Sequence, residues 1–164
     1  MKNPNACRLV VALMLAVASF PVWASGLGAL DKKLYTAALN QDVAAVNTLL
    51  SQGAKPTPKD AGREMTPFQG AIYVKNAAIV QAMIKAGADV NDPDPFGNGG
   101  QTFLMFAIQW GDENLEVVKA LIAAKADVNA VRKSTGQTPL SDAIQQNAPA
   151  VVAVLKAAGA KSRT

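Results

Sequence analysis

The chain repeats itself every 36 residues, and that period limits what it can fold into. Thr66, Thr102 and Thr138 stand 36 apart, and Ala71, Ala107 and Ala143 keep the same interval. An earlier segment, KLYTAALNQDVAAVNTLLSQGAK, carries Ala37 in the same role. From that alanine to a closing glycine is 16 residues in Ala37–Gly53, Ala71–Gly87 and Ala143–Gly159. A unit of this size cannot bury its apolar face alone, so neighbouring units have to stack and share a core.

Each unit reads as two short helices. Thr66 and Thr138 suit a helix N-terminus, with Pro67 and Pro139 in the first turn, where a missing N–H costs nothing. The second helix carries paired apolar residues: Ile79, Val80, Met83 and Ile84, then Val117, Val118, Leu121 and Ile122. That spacing lays one buried stripe along a helix. Gly53, Gly87 and Gly159 supply the left-handed residue that ends it. Small alanines at the contact allow each helix pair to approach the next closely.

Read together, the T-P-L-x-x-A start, the V-V-x-x-L-I stripe and the G-A-D-V-N close resemble the ankyrin repeat. The resemblance covers residues 31 to about 161. It implies an all-α solenoid of four stacked helix-turn-helix repeats, at about 31–62, 63–98, 99–134 and 135–161, with hairpin fingers projecting at right angles. Lys156, where inner units have Ile84 and Ile122, reads as a polar end cap. So does Asp31-Lys32-Lys33, which replaces the T-P start. The family's histidine after T-P-L is absent; Tyr35, Gln69, Met105 and Ser141 stand there. Lys125 replaces the closing glycine of the third unit, at a cost of roughly 1–2 kcal/mol if it must adopt the left-handed conformation. Asp112-Glu113 is inserted between that unit's helices.

The N-terminus has a different organisation. Lys2 and Arg8 make a basic n-region ahead of an apolar run of 12, Leu9 to Phe20, followed by Pro21 and a small-residue site before Ser25. This is the layout of a secretory signal peptide over 1–24, and the run is shorter than the roughly 20 residues a membrane span needs. Residues 25–30 then read as a linker and 162–164 as a tail. Cleavage would remove the only cysteine, Cys7, together with two of the 16 basic residues. The remaining charges are nearly balanced and mixed along the chain, without a basic stripe interleaved with aromatics, so neither nucleic-acid binding nor membrane insertion is expected. The expected location is the periplasm or outside the cell.

Residues 92–102, DPDPFGNGGQT, fall in the finger between the second and third units, two residues longer than its neighbours. As a calcium loop the stretch fails, because Phe96 replaces the third ligand and Phe103 the bidentate glutamate. As a phosphate cradle it lacks the lysine before Thr102. It reads either as a tolerated insertion or as a contact site carried by Phe96. Catalysis is not expected: the chain has no histidine, and Asp89 and Asp127 belong to the recurrent D-V-N turn. No cofactor or metal is expected either.

In ankyrin repeats, partners usually meet the concave side, formed by the fingers and the ends of the first helices. Carried onto this chain, the resemblance implies protein-binding positions at Tyr73, Val74, Gln109, Trp110, Gln145 and Gln146 on the helices. Arg63, Met65 and Phe96 occupy the fingers, and Gln101 also precedes a first helix. Trp110 reads either as an exposed anchor or as core beneath the finger. Arg132, Lys133 and Gln137 also precede a first helix; Arg132 and Lys133 read as a solvated turn ahead of a contact site. The function expected is a non-enzymatic, monomeric protein-binding module. A periplasmic immunity or inhibitor protein, or an accessory to an envelope stress-defence enzyme, is the alternative.

Overall fold

A computed structural model describes residues 28–58, 65–92, 96 and 100–161. The expected signal peptide, half of the expected linker, Arg63 and the tail lie outside those residues. Among the described residues there are eight α-helices and one short 3-10 helix, and no strand. The helices are α1 (Ala29–Leu39), α2 (Val43–Ser51), α3 (Pro67–Tyr73), α4 (Ala77–Lys85), α5 (Phe103–Ile108), α6 (Leu115–Ala123), α7 (Pro139–Gln145) and α8 (Pro149–Ala157). They form four helix pairs. First helices stack on one another in the order α1, α3, α5, α7, and second helices in the order α2, α4, α6, α8. The α1 helix begins at Ala29, inside the segment expected to be linker.

The threonines start the first helices as the sequence implies. Thr66 accepts the Gln69 N–H at 3.3 Å while its own N–H donates to Gln69 Oε1 at 2.6 Å, a reciprocal capping box. Thr138 and Ser141 repeat the box on α7. At α5, Thr102 caps the Met105 N–H, but Met105 offers no oxygen in return. The second helices α2 and α4 are capped from their own turns, by Asp42 on Ala45 and by Asn76 on Ile79. The α8 helix is not: its N-cap is Ala148. Its orphan N–H groups at Ala150 and Val151 donate instead to the Asp112 carboxylate, at 3.3 and 3.0 Å. The two-residue insertion of the third unit therefore caps a helix of the fourth. Gly111–Asn114, which holds it, is the 3-10 helix.

The core lies between the two rows of helices. Leu34, Phe68, Leu104 and Leu140 occupy one register position and are all buried, as are the recurrent alanines Ala37, Ala71, Ala107 and Ala143. Close approach extends to Gly70, where a Cβ would stand 3.1 Å from the Tyr35 ring of the preceding unit. Units are also tied through their D-V-N turns. Asn91 donates to the Lys125 carbonyl at 2.9 Å and accepts the Asp127 N–H at 2.8 Å. Asn129 does the same to Gly159 and Lys161. Thr57, in the corresponding place one unit earlier, accepts the Asp89 N–H. The closing glycines are left-handed, at φ 90° for Gly53, 91° for Gly87 and 89° for Gly159, and Lys125 is forced there too, at 66°.

Candidate protein-binding surface

The third unit supplies the middle of an aromatic line that runs across the stack. Phe106 stands on α5 and Trp110 one turn further on, with ring centroids 4.9 Å apart and nearly perpendicular. Trp110 meets Tyr73, at the end of α3, edge-on at 5.8 Å. On the other side Phe106 meets Phe96 from the long finger at 4.7 Å. Phe96 also touches Phe103 at 6.0 Å, and Phe103 in turn packs on Phe68 in the core at 4.9 Å. Edge-to-face contacts of this kind add to the area each ring buries. Tyr73, Phe96, Phe106 and Trp110 are each only half-buried, so one side of the line is held by the core and the other is open.

Tyr35 extends the line into the first unit. It is half-buried, lies over Gly70, and has its phenol pushed above the usual tyrosine range, chiefly by burial and then by the nearby Tyr73. Its hydroxyl thus stays a proton donor well above neutral pH. Around the rings the polar groups are mostly uncharged. Gln109, Gln145 and Gln146 are exposed, and Val74 is half-buried beside Tyr73. Gln145 Oε1 accepts from Gln137 Nε2 at 2.9 Å. Among the described residues, Lys75 pairs with Glu113 of the next unit at 2.7 Å.

Of the positions expected from the sequence, Tyr73, Phe96 and Trp110 are brought together through Phe106, a residue that sequence reasoning passed over. Its position is filled by Thr36, Gly70 and Asp142 in the other units, so no recurring pattern marks it. Phe96 does not stand free at a projecting tip; its ring fastens the finger to α5. Trp110 is neither fully exposed nor core. Met65 is half-buried at the foot of α3. Gln101 is buried rather than presented.

Arg132 is a correction. It was expected in a solvated turn, but its side chain is mostly buried and pairs with Asp142 at 2.9 Å, while a second nitrogen donates to Gln137 Oε1 at 2.8 Å. The aspartate explains this. A carboxylate on the inner side of α7 needs a cation, and the preceding finger is the nearest source. Burial still pushes the Asp142 carboxyl above the usual aspartate range, against the lowering influence of Arg132.

Residues 34–132 and 68–163 each match the family model of ankyrin repeats in three copies. The chain belongs to the ankyrin-repeat family. No curated protein matches the chain. Ankyrin repeats are generally protein–protein interaction modules and typically not enzymes. The half-exposed aromatic line lies on the first three units of the ankyrin stack.

Proposed function

We propose that this ankyrin protein is an exported binding module of the cell envelope, and that it takes a protein partner on the concave face between Tyr35 and Phe96. The observation that carries the reading is the half-open aromatic line Tyr73–Trp110–Phe106–Phe96, joined at centroid distances of 4.7 to 5.8 Å. Interface hot spots favour tryptophan and tyrosine held rigidly in well-packed surroundings, because little side-chain entropy is lost on binding. Here each ring packs against a neighbouring ring of the line. The mechanism is occupancy. With exposed amides at Gln109, Gln145 and Gln146 beside the rings, the partner segment is apolar or aromatic. The export part of the reading is supported by the n-region, the apolar run and the cleavage-like site of residues 1–24.

Co-purification from an envelope extract tests this, comparing the wild-type chain with a Tyr73→Ala, Trp110→Ala variant shown by circular dichroism to be folded. One protein recovered with the wild type and lost with the variant is the expected result. Truncation of a hot-spot pair should weaken binding by about 2 kcal/mol or more, roughly 30-fold. A partner retained equally by both moves the binding surface elsewhere. A single tight one-to-one partner with its own activity inhibited would favour the immunity or inhibitor role. N-terminal sequencing of the exported chain checks the cleavage: a start other than Ser25 removes the expected processing site.

A further inference from the structure

The aromatic line carries hydrogen-bond donors that the protein itself does not use. Tyr35 and Tyr73 each bear a phenolic hydroxyl, and Trp110 an indole N–H. Among the described residues none of the three makes a hydrogen bond, and each of the three polar atoms reaches solvent. Other polar side chains on the first helices are engaged. Thr36 donates to the Lys32 carbonyl at 3.0 Å, Asp142 accepts from Arg132 at 2.9 Å, and Gln145 accepts from Gln137 at 2.9 Å. The three donors are also placed in sequence across the stack. The Tyr35 ring lies over Gly70, where a Cβ would come within 3.1 Å of it, so the missing side chain makes room for the ring. Tyr73 stands three residues beyond Gly70 on α3, one helical turn along the same face. Trp110 then meets Tyr73 edge-on at 5.8 Å.

We propose that Tyr35, Tyr73 and Trp110 form a row of donors that reads main-chain carbonyls of a partner segment bound in an extended conformation. The proposal rests on the concave-face reading above and adds the partner's chemistry to it. A segment that covers the rings also strips water from the three donors. A donor left buried and unpaired costs about 1–3 kcal/mol, more than a typical hydrogen bond contributes. The segment must therefore bring oxygen acceptors alongside its apolar side chains. A helix has only the carbonyls of its last turn to offer, because the others are used within it. An extended segment presents unpaired carbonyls along its whole length, which suits donors spread over three units. Burial and the neighbouring Tyr73 hold the Tyr35 phenol above the usual tyrosine range, so it remains a donor at neutral pH.

Peptides selected from a random library on the wild-type chain provide the probe, and their affinities are compared across variants. Tyr35→Phe and Tyr73→Phe remove one hydroxyl each and keep the ring, so circular dichroism and the thermal midpoint should match the wild type. Each should weaken peptide binding about 3- to 10-fold, the loss of one hydrogen bond. Replacing the matching peptide amide by an ester, whose carbonyl is a poorer acceptor, should weaken binding to the wild type and leave binding to the corresponding phenylalanine variant unchanged. Phenylalanine variants that bind as tightly as the wild type, while Tyr73→Ala, Trp110→Ala loses the peptide, overturn the donor row and leave the aromatic surface standing. Peptides that are helical when bound also overturn it. Peptides held equally by every variant, or a library that yields no binder, overturn the donor row together with the surface it rests on.

Discussion

Lys125 holds its backbone at φ 66°, where the equivalent residues of the other units are glycines near 90°. A Cβ in that region crowds the backbone, and the lysine at this position is exposed, with no ion pair among the described residues to offset the strain. Lys125→Gly should therefore stabilise the protein by about 1 kcal/mol, somewhat offset by the added freedom of the unfolded chain. Urea unfolding measures it. A destabilised variant would mean that the lysine stem covers apolar surface. The converse change, Gly87→Ala, meets open space but a φ of 91°, and should cost about the same. Asp142 gives a pH dependence of definite sign. Burial raises its pKa in the fold, so the folded chain binds that proton more tightly than the unfolded chain does. Its contribution to stability is present at acid pH and is lost as pH rises through the folded pKa. Arg132→Gln removes the two influences that lower it, so the Asp142 midpoint in a carboxyl NMR titration should move further up. A downward movement would contradict the burial argument.

The α8 helix depends on a residue it does not contain. Asp42 and Asn76 cap the second helices of the first two units, but the corresponding place before α8 is Ala148, and Asp112 reaches over from the preceding unit. Loss of an N-cap typically costs about 1 kcal/mol. Asp112→Ala should lower stability by that amount and loosen α8 first. Adding Ala148→Ser should recover most of the loss, since a serine in the N-cap position can take over the same N–H groups. A double-mutant cycle checks it: additive effects would mean that Asp112 acts on α8 by charge alone, through the positive end of the helix, and not as its cap. Glu113, the other inserted residue, pairs with Lys75 of the second unit. That pair is largely exposed on the glutamate side, and its removal should change stability by less than about 1 kcal/mol.

At the scale of the whole molecule, the main contacts of each helix pair among the described residues are with its neighbours, so stability is approximately a sum of unit and interface terms. Among the described residues, the inner pairs have two interfaces and the terminal pairs one. Amide exchange should accordingly be slowest in α4 and α6 and fastest in α1 and α8, with protection falling outward from the middle. Equal protection from end to end would show that the stack opens only as a single unit. The turn asparagines sharpen the gradient. Asn91 and Asn129 each make two bonds to the following unit, whereas Thr57 accepts one from Asp89. The turn-to-turn link between the first and second units is therefore the weakest of these three turn links.

Much of this was legible in the chain because helix pairs of a repeat are specified locally. Thr66 and Thr138 sit where capping needs an oxygen, and Gly53, Gly87 and Gly159 sit where the backbone turns left-handed. The paired apolar residues of α4 and α6 recur at helical spacing. Each of these depends on residues only a few positions away, so period and spacing were enough to identify the family. What the sequence could not determine was which unmatched residues meet across units. Phe106 joins Phe96 to Trp110, Arg132 turns inward to Asp142, and Asp112 caps a helix nearly forty residues further on. Ile144 looks like Ile72 and Ile108 in every local respect, and only the absence of a covering helix among the described residues sets it apart. Local capping and periodicity are properties of a segment; burial and pairing are properties of what the stack places beside it.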